Sequence, residues 1–154
     1  MNLLKRENVR ICEGSADWRD AIRIAVHPLE EHGYVEPRYK EEVISNVEKL
    51  GPYIVIADHV ALPHARPEQG AIKTQIGVTL FRKDVFFDGK DLPARLFVTL
   101  AAQDSNSHLD ALMEISQLLS DEQTVEQILE APDEEQLYRY FANETGGEEL
   151  CTEC

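Results

Sequence analysis

The chain has 154 residues, 43% of them hydrophobic and 29% charged, which suits one folded domain and is too apolar for a disordered one. Its 29 acidic residues against 15 basic ones leave a net charge of −14, which argues against a nucleic-acid binder and against adhesion to anionic membranes. No window holds the ~18 apolar residues of a membrane span, and MNLLKRENVR carries charge where an export signal needs its apolar stretch, so a cytoplasmic protein without membrane insertion is expected.

The cysteines, Cys12, Cys151 and Cys154, are odd in number and offer no disulfide framework. The terminal CTEC follows NETGGEEL, with no strand before it, so it lacks the setting of a redox motif. From Asn143 onward the chain is acidic and glycine-containing. Residues 143–154 therefore read as a flexible tail, and residues 1–142 as the folded domain.

Ser15 is a good helix N-cap, and Trp18, Ile22, Val26 and Leu29 then recur at helical spacing. Pro28 is expected to kink or shorten that helix, and Gly33 closes it at the latest. A second helix is expected from about Pro37, with Tyr39, Val43, Val47 and Leu50 on one face and Gly51-Pro52 as its stop. The period then changes. Tyr53 to Ala57 is a short apolar run typical of a buried strand, and Val60 to Leu62 extends the sheet.

PHARPEQG, from Pro63 to Gly70, is a loop by its prolines and glycine. Lys73 to Arg82 alternates, with Ile76, Val78 and Leu80 on one face, and Ala94 to Ala102 is apolar enough for a central strand. Between them FFDGKDLP contains an Asp-Gly turn signal. QDSNSH leads into a helix carrying Leu109, Leu112, Ile115 and Leu119, and capping-box patterns at Ser120–Gln123 and Asp133–Gln136 open two more. Two helices before the strands and three after predict an α/β fold, a three-layer α/β/α sandwich around a small mixed sheet.

The segment richest in chemistry is GPYIVIADHVALPHARPEQG. His64 lies just past a strand end, where rigid sheets commonly present reactive groups. Pro63 constrains the backbone entering the site, and small Ala65 leaves room beside the imidazole. Arg66 supplies a permanently charged fork suited to phosphate. Spacing alone leaves open an inert loop histidine. His59, His64 and His108 lack the converging Cys/Asp/Glu pattern of a metal site. His27 and His32 read as surface residues, and Trp18, Tyr39 and Phe97 as core. No phosphate-binding P-loop and no serine-hydrolase elbow occurs.

VALPHA, preceded by an apolar strand and a GPY turn, resembles the active-site signature of mannitol/fructose-class enzyme IIA proteins of the bacterial phosphoenolpyruvate-dependent phosphotransferase system. The fuller form, with Arg-Pro-Glu after the histidine, is similar to the ascorbate branch. VEPRY, AAQDSNSH and the C-terminal helices extend the likeness over about residues 1–142. The resemblance implies the mannitol-type IIA fold. It also implies that His64 accepts a phosphoryl group from the carrier protein HPr and donates it to a sugar-specific IIB protein or domain. His108, in NSHLDAL, matches the family's second histidine, which holds the phosphoryl oxygens or orients His64.

Elementary chemistry supports the pairing. Neutral imidazole is the nucleophile, and phosphoryl transfer needs positioning and charge stabilisation above all. His108 is expected near a helix N-terminus capped by Asn106 or Ser107, where unpaired N–H groups attract phosphate. One departure stands out: mannitol-type members carry an arginine on the helix before the signature strand, and this chain reads SNVEK. Asn46 and Val47 cannot supply that charge, so Arg66 is expected to substitute from the other side. The expected chemistry needs no metal and no organic cofactor, and Nε2 is the nitrogen expected to be phosphorylated. The alternative is a regulatory IIA-like protein whose phosphorylation state controls a protein partner.

Overall fold

The computed structural model describes residues 3–88 and 93–142. The expected tail and the pair Cys151 and Cys154 lie outside them, as does Gly89 of the Asp-Gly turn. The strands are β1 (Leu4–Cys12), β2 (Val55–Ala57), β3 (His59–Ala61), β4 (Gln75–Val85) and β5 (Ala94–Ala101). The α-helices are α1 (Trp18–Glu31), α2 (Tyr39–Leu50), α3 (Ser105–Leu118), α4 (Glu122–Leu129) and α5 (Glu134–Ala142).

The five strands form one sheet in the order β1-β4-β5-β3-β2. The β1–β4 and β5–β3 pairs are parallel, and the β4–β5 and β3–β2 pairs antiparallel, so the sheet is mixed. On β5, Leu96, Val98 and Leu100 face one core and Phe97 and Ala101 the other, as the two-residue period of a strand requires. The first core packs α1 and α2 on the sheet, through Ile22, Leu29, Tyr39 and Val43. The second packs α3, α4 and α5 through Ile115, Ile128 and Phe141. These are the three layers of the α/β sandwich, and Ile76, Val78 and Leu80 share a face as their alternation requires.

Several local expectations are corrected. β1 precedes the first helix and was not anticipated. Its LKRENVRIC is dense in charge because β1 is an edge strand, where charged side chains reach solvent. The α1 cap is Asp17, whose carboxylate accepts the Asp20 N–H at 2.9 Å, while the Ser15 hydroxyl donates to the Asp17 carbonyl. Pro28 does not end α1, which runs three residues further. In this last turn the missing N–H removes one helical bond, and the buried ring joins the core-facing side. Leu50 is 73% exposed instead of packing with Val43 and Val47. α4 is capped by Asp121 and not Ser120, whereas Asp133 does cap α5 by accepting the Gln136 N–H at 2.8 Å. His32 is half-buried and its Nδ1 bonds Asn8 Oδ1 at 2.8 Å, so it ties the end of α1 to β1 instead of facing solvent.

Candidate active site

β3 and β5 are adjacent and parallel, so their C-terminal ends lie at the same edge of the sheet. The loop leaving β3 carries His64, and the segment leaving β5 leads into α3 and His108. This is the edge where open α/β sheets bind ligands. The two imidazoles meet there, with ring centroids 5.4 Å apart and planes at 51°. They line one groove with Asn46, Tyr53, Arg66 and Ser105.

The His64 ring is held on two sides. Its Nδ1 lies 2.6 Å from the Leu62 carbonyl oxygen. A carbonyl only accepts, so Nδ1 carries the proton and Nε2 keeps its lone pair. Tyr53 packs against the ring in a T-shaped arrangement, centroids 5.2 Å apart, and its hydroxyl donates to the His64 carbonyl. Burial pushes the His64 pKa down. The Leu62 hydrogen bond works in the opposite sense, and the neighbouring His108 adds a smaller lowering effect. The ring is therefore neutral near pH 7.

The loop backbone is pinned as well. The Leu62 N–H donates to Ile54, and the Pro63 carbonyl accepts from Leu100 at 2.9 Å. The Arg66 N–H donates to Gln69 Oε1 at 2.9 Å. Gln69 is itself nearly buried and pairs reciprocally with the Asn46 amide, at 2.9 and 3.3 Å. Asn46 thus stands at the groove wall without charge and braces the loop instead. Arg66 sits on the rim, 71% exposed, with Nε 2.9 Å from Glu68. Ala65 is buried against the core and also lines the groove with His64, so its small side chain serves both packing and the open space there.

His108 lies in the first turn of α3, as expected, but the cap is Asp104 in place of Asn106 or Ser107. Its carboxylate accepts the Ser107 N–H at 2.8 Å, a bond that also holds the Asp104 pKa down. The His108 N–H closes the first helical bond, to the Asp104 carbonyl at 3.0 Å. A carboxylate therefore already occupies much of the helix N-terminus, and Ser105 is the α3 cap-end residue that lines the groove.

His59 does not join this pair. It pairs with Asp58 at 3.1 Å and lines a separate groove with Glu122 and Glu126. Among the described residues no three His, Cys, Asp or Glu side chains form a metal-holding group. Tyr53, Asn46 and Gln69 were missed as site residues. Tyr53 was legible as part of an apolar run and of the GPY turn but not as a partner of His64, and the amide pair joins residues far apart in sequence.

The site is a paired-histidine groove at the carboxyl edge of a mixed α/β sheet. The family model described as "Phosphoenolpyruvate-dependent sugar phosphotransferase system, EIIA 2" matches residues 2–144, and the chain belongs to that family. It is similar to the mannitol-specific cryptic phosphotransferase enzyme IIA component of Escherichia coli strain K12, at 37% identity over 130 residues, 84% of this chain and 88% of that one. It is also similar to the ascorbate-specific PTS system EIIA component of the same strain, at 34% identity over 129 residues, 82% and 84% of the two chains. The solution structure of the cryptic mannitol enzyme IIA from Escherichia coli superposes with a TM-score of 0.87 at 34% identity, covering 92% of this chain and 97% of that one. Enzyme IIA mannitol in its complex with phosphorylated enzyme IIB, from the same species, gives a TM-score of 0.78 at 27% identity, covering 91% and 97%. The mannitol-type IIA fold expected from the sequence is the fold observed. No described helix is long and apolar enough to cross a membrane.

Proposed function

We propose that the protein is a cytoplasmic phosphocarrier that accepts a phosphoryl group from HPr on Nε2 of His64 and donates it to a IIB component. The transported compound is ascorbate or a related pentose-like or polyol substrate. Residues 1–142 form the carrier domain. The observation that carries this reading is the Nδ1–H bond to the Leu62 carbonyl, which leaves Nε2 as the free nucleophile of a neutral ring.

In the acceptance step the Nε2 lone pair attacks phosphorus as the phosphorus–nitrogen bond to the HPr histidine breaks, and that imidazole leaves with its electron pair. The His64 ring gains positive character as the new bond forms, and the Leu62 carbonyl stabilises the remaining N–H. The phosphoryl oxygens then lie within reach of His108, with Arg66 as a mobile cation on the rim. In donation a cysteine or histidine of IIB attacks phosphorus, and the His64 phosphorus–nitrogen bond breaks with its electron pair returning to Nε2. A relative named for mannitol, one named for ascorbate and a IIA complex with phosphorylated IIB favour a sugar-uptake role and a IIB recipient.

The test is labelling from phosphoenolpyruvate, enzyme I and HPr, followed by a panel of IIB proteins. His64→Ala is expected to lose all label, and the parent to discharge to an ascorbate- or polyol-type IIB. Persistent labelling of His64→Ala at another residue removes the proposed carrier site. Labelling of the parent without discharge to any IIB favours the regulatory role.

A further inference from the structure

The last β3–β5 pairs are Val60 with Leu96 and Ala61 with Phe97, and the same parallel register continued past the end of β3 sets His64 opposite Leu100. In a parallel pair, a residue donates its N–H to the residue before its partner and accepts at its carbonyl from the residue after it. For Leu100 these are Pro63 and Ala65. The first bond is made, at 2.9 Å. In the second, the phenol oxygen of Tyr39 is interposed. The Ala65 N–H donates to Tyr39 Oη at 3.0 Å, and the Tyr39 hydroxyl donates to the Leu100 carbonyl at 2.8 Å. A longer approach of the same hydroxyl to the Ala65 carbonyl, 3.4 Å, is secondary.

A direct ladder bond spans ~2.9 Å. Two bonds in series through one oxygen hold the strands further apart, so the ladder opens at His64. The two edges of the opening are the active-site segments themselves. Ala65 adjoins His64, and Leu100 precedes the short run to Asp104 and His108. Tyr39 is the first residue of α2 and is fully buried. Burial pushes its phenol up to about 12, so the hydroxyl keeps its proton throughout the neutral range.

We infer that Tyr39 is a positioning residue whose hydroxyl, inserted between Ala65 and Leu100, sets the spread of the His64 loop from β5 and hence the spacing of His64 to His108. Its kinetic consequence rests on the phosphocarrier reading; its geometric consequence does not. Without the hydroxyl, the Ala65 N–H and Leu100 carbonyl either pair directly and draw the loop inward, or stay apart and unpaired. The first outcome displaces His64, and the second leaves its loop without the contact that fixes it.

The test compares Tyr39→Phe with Thr99→Val, which removes a different buried hydroxyl bond of β5, from Thr99 to the Ala25 carbonyl at 3.2 Å. Ring-nitrogen NMR of His64 and His108 reads the geometry, and transfer from labelled phospho-HPr reads the chemistry. For Tyr39→Phe the His64 shifts and titration midpoint are expected to move. Its kcat for phosphoryl acceptance falls roughly tenfold or more, since a ~1 Å misplacement alone can remove about a hundredfold. Its KM for HPr stays within about twofold, because the docking surface is untouched. Thr99→Val keeps parental His64 shifts and kcat. Parental shifts and kcat in Tyr39→Phe, or the same changes in Thr99→Val, overturn the inference. If Tyr39→Phe does not fold, site-specific 4-aminophenylalanine at position 39 keeps a donor to the Leu100 carbonyl but largely loses the acceptor for the Ala65 N–H, and unmoved His64 shifts then overturn it. A parent that takes no phosphoryl group defeats the phosphocarrier reading, while the NMR arm still decides the role of Tyr39.

Discussion

The rings of His64 and His108 lie 5.4 Å apart, centroid to centroid, each carried beyond the end of one of two neighbouring parallel strands. His108→Ala should therefore fold and still take phosphoryl, but more slowly. Loss of one positioned hydrogen-bond donor commonly removes about 10²-fold in rate where charge develops, and the half-open groove sets the expectation nearer tenfold. The His64 pKa should rise, because His108 helps to hold it down. Quenched-flow transfer from phospho-HPr and NMR titration of His64 check both. Parental values in both would remove His108 from the site chemistry.

The depressed pKa of His64 gives the fold a signed pH dependence. In the unfolded chain the ring titrates near about 6.5, whereas in the folded protein burial favours its neutral form to lower pH. Between those two values the unfolded state binds more protons, so stability falls with falling pH. The contribution is fully present above the unfolded pKa and is lost as pH drops toward the folded one. Thermal melts of the parent and His64→Gln across this range should diverge in that sense. A difference that does not vary with pH would contradict it. Phosphoryl acceptance should likewise persist somewhat below pH 6.5, where an ordinary histidine is mostly protonated.

Arg66 is held by Glu68 in an ion pair whose partners are 71% and 69% exposed. Such pairs are weak, typically ~0–1 kcal/mol, and screened by salt. The guanidinium is thus free to exchange Glu68 for a phosphoryl dianion. Arg66→Ala should keep near-parental thermal stability and lose about three- to tenfold in transfer at low salt, with the deficit shrinking as salt rises. A deficit independent of ionic strength would assign Arg66 some other role.

Asn46 joins the groove wall to the loop through its reciprocal amide pair with Gln69. Asn46→Arg should do two opposing things. It strands a nearly buried Gln69 from one partner, lowering stability by about 1–2 kcal/mol. It also adds a fixed cation beside His64, which should depress the His64 pKa further and slow hydrolysis of the phosphohistidine. Denaturant unfolding and the decay of labelled protein measure the two effects separately. Faster decay in the variant would reject the electrostatic half.

The secondary structure was legible wherever one period persisted: the helical spacing of Ile22, Val26 and Leu29, the alternation of Ile76, Val78 and Leu80, and the apolar run of β5. β1 escaped because an edge strand buries little of its charged LKRENVRIC, so no clean period marks it. The caps were displaced by one to three residues, to Asp17, Asp104 and Asp121, since several Ser, Asp and Asn side chains compete at each helix start and only backbone direction selects among them. Leu50 and Leu109 fit their helical stripes yet are exposed at the groove, because each lies at the margin of a stripe and not at its centre.

By itself the sequence determined every element but β1, the family signature around His64 and the second histidine, since these depend on local spacing and on residue chemistry. What only the tertiary structure decided was everything that passes between strands and helices. The proton on Nδ1 is set by the Leu62 carbonyl, Asn46 braces the loop through Gln69, and the Tyr39 hydroxyl sits between the His64 loop and β5, to neither of which it belongs. Such contacts join residues from separate elements, and hydrogen-bond geometry exists only once the sheet register has been chosen.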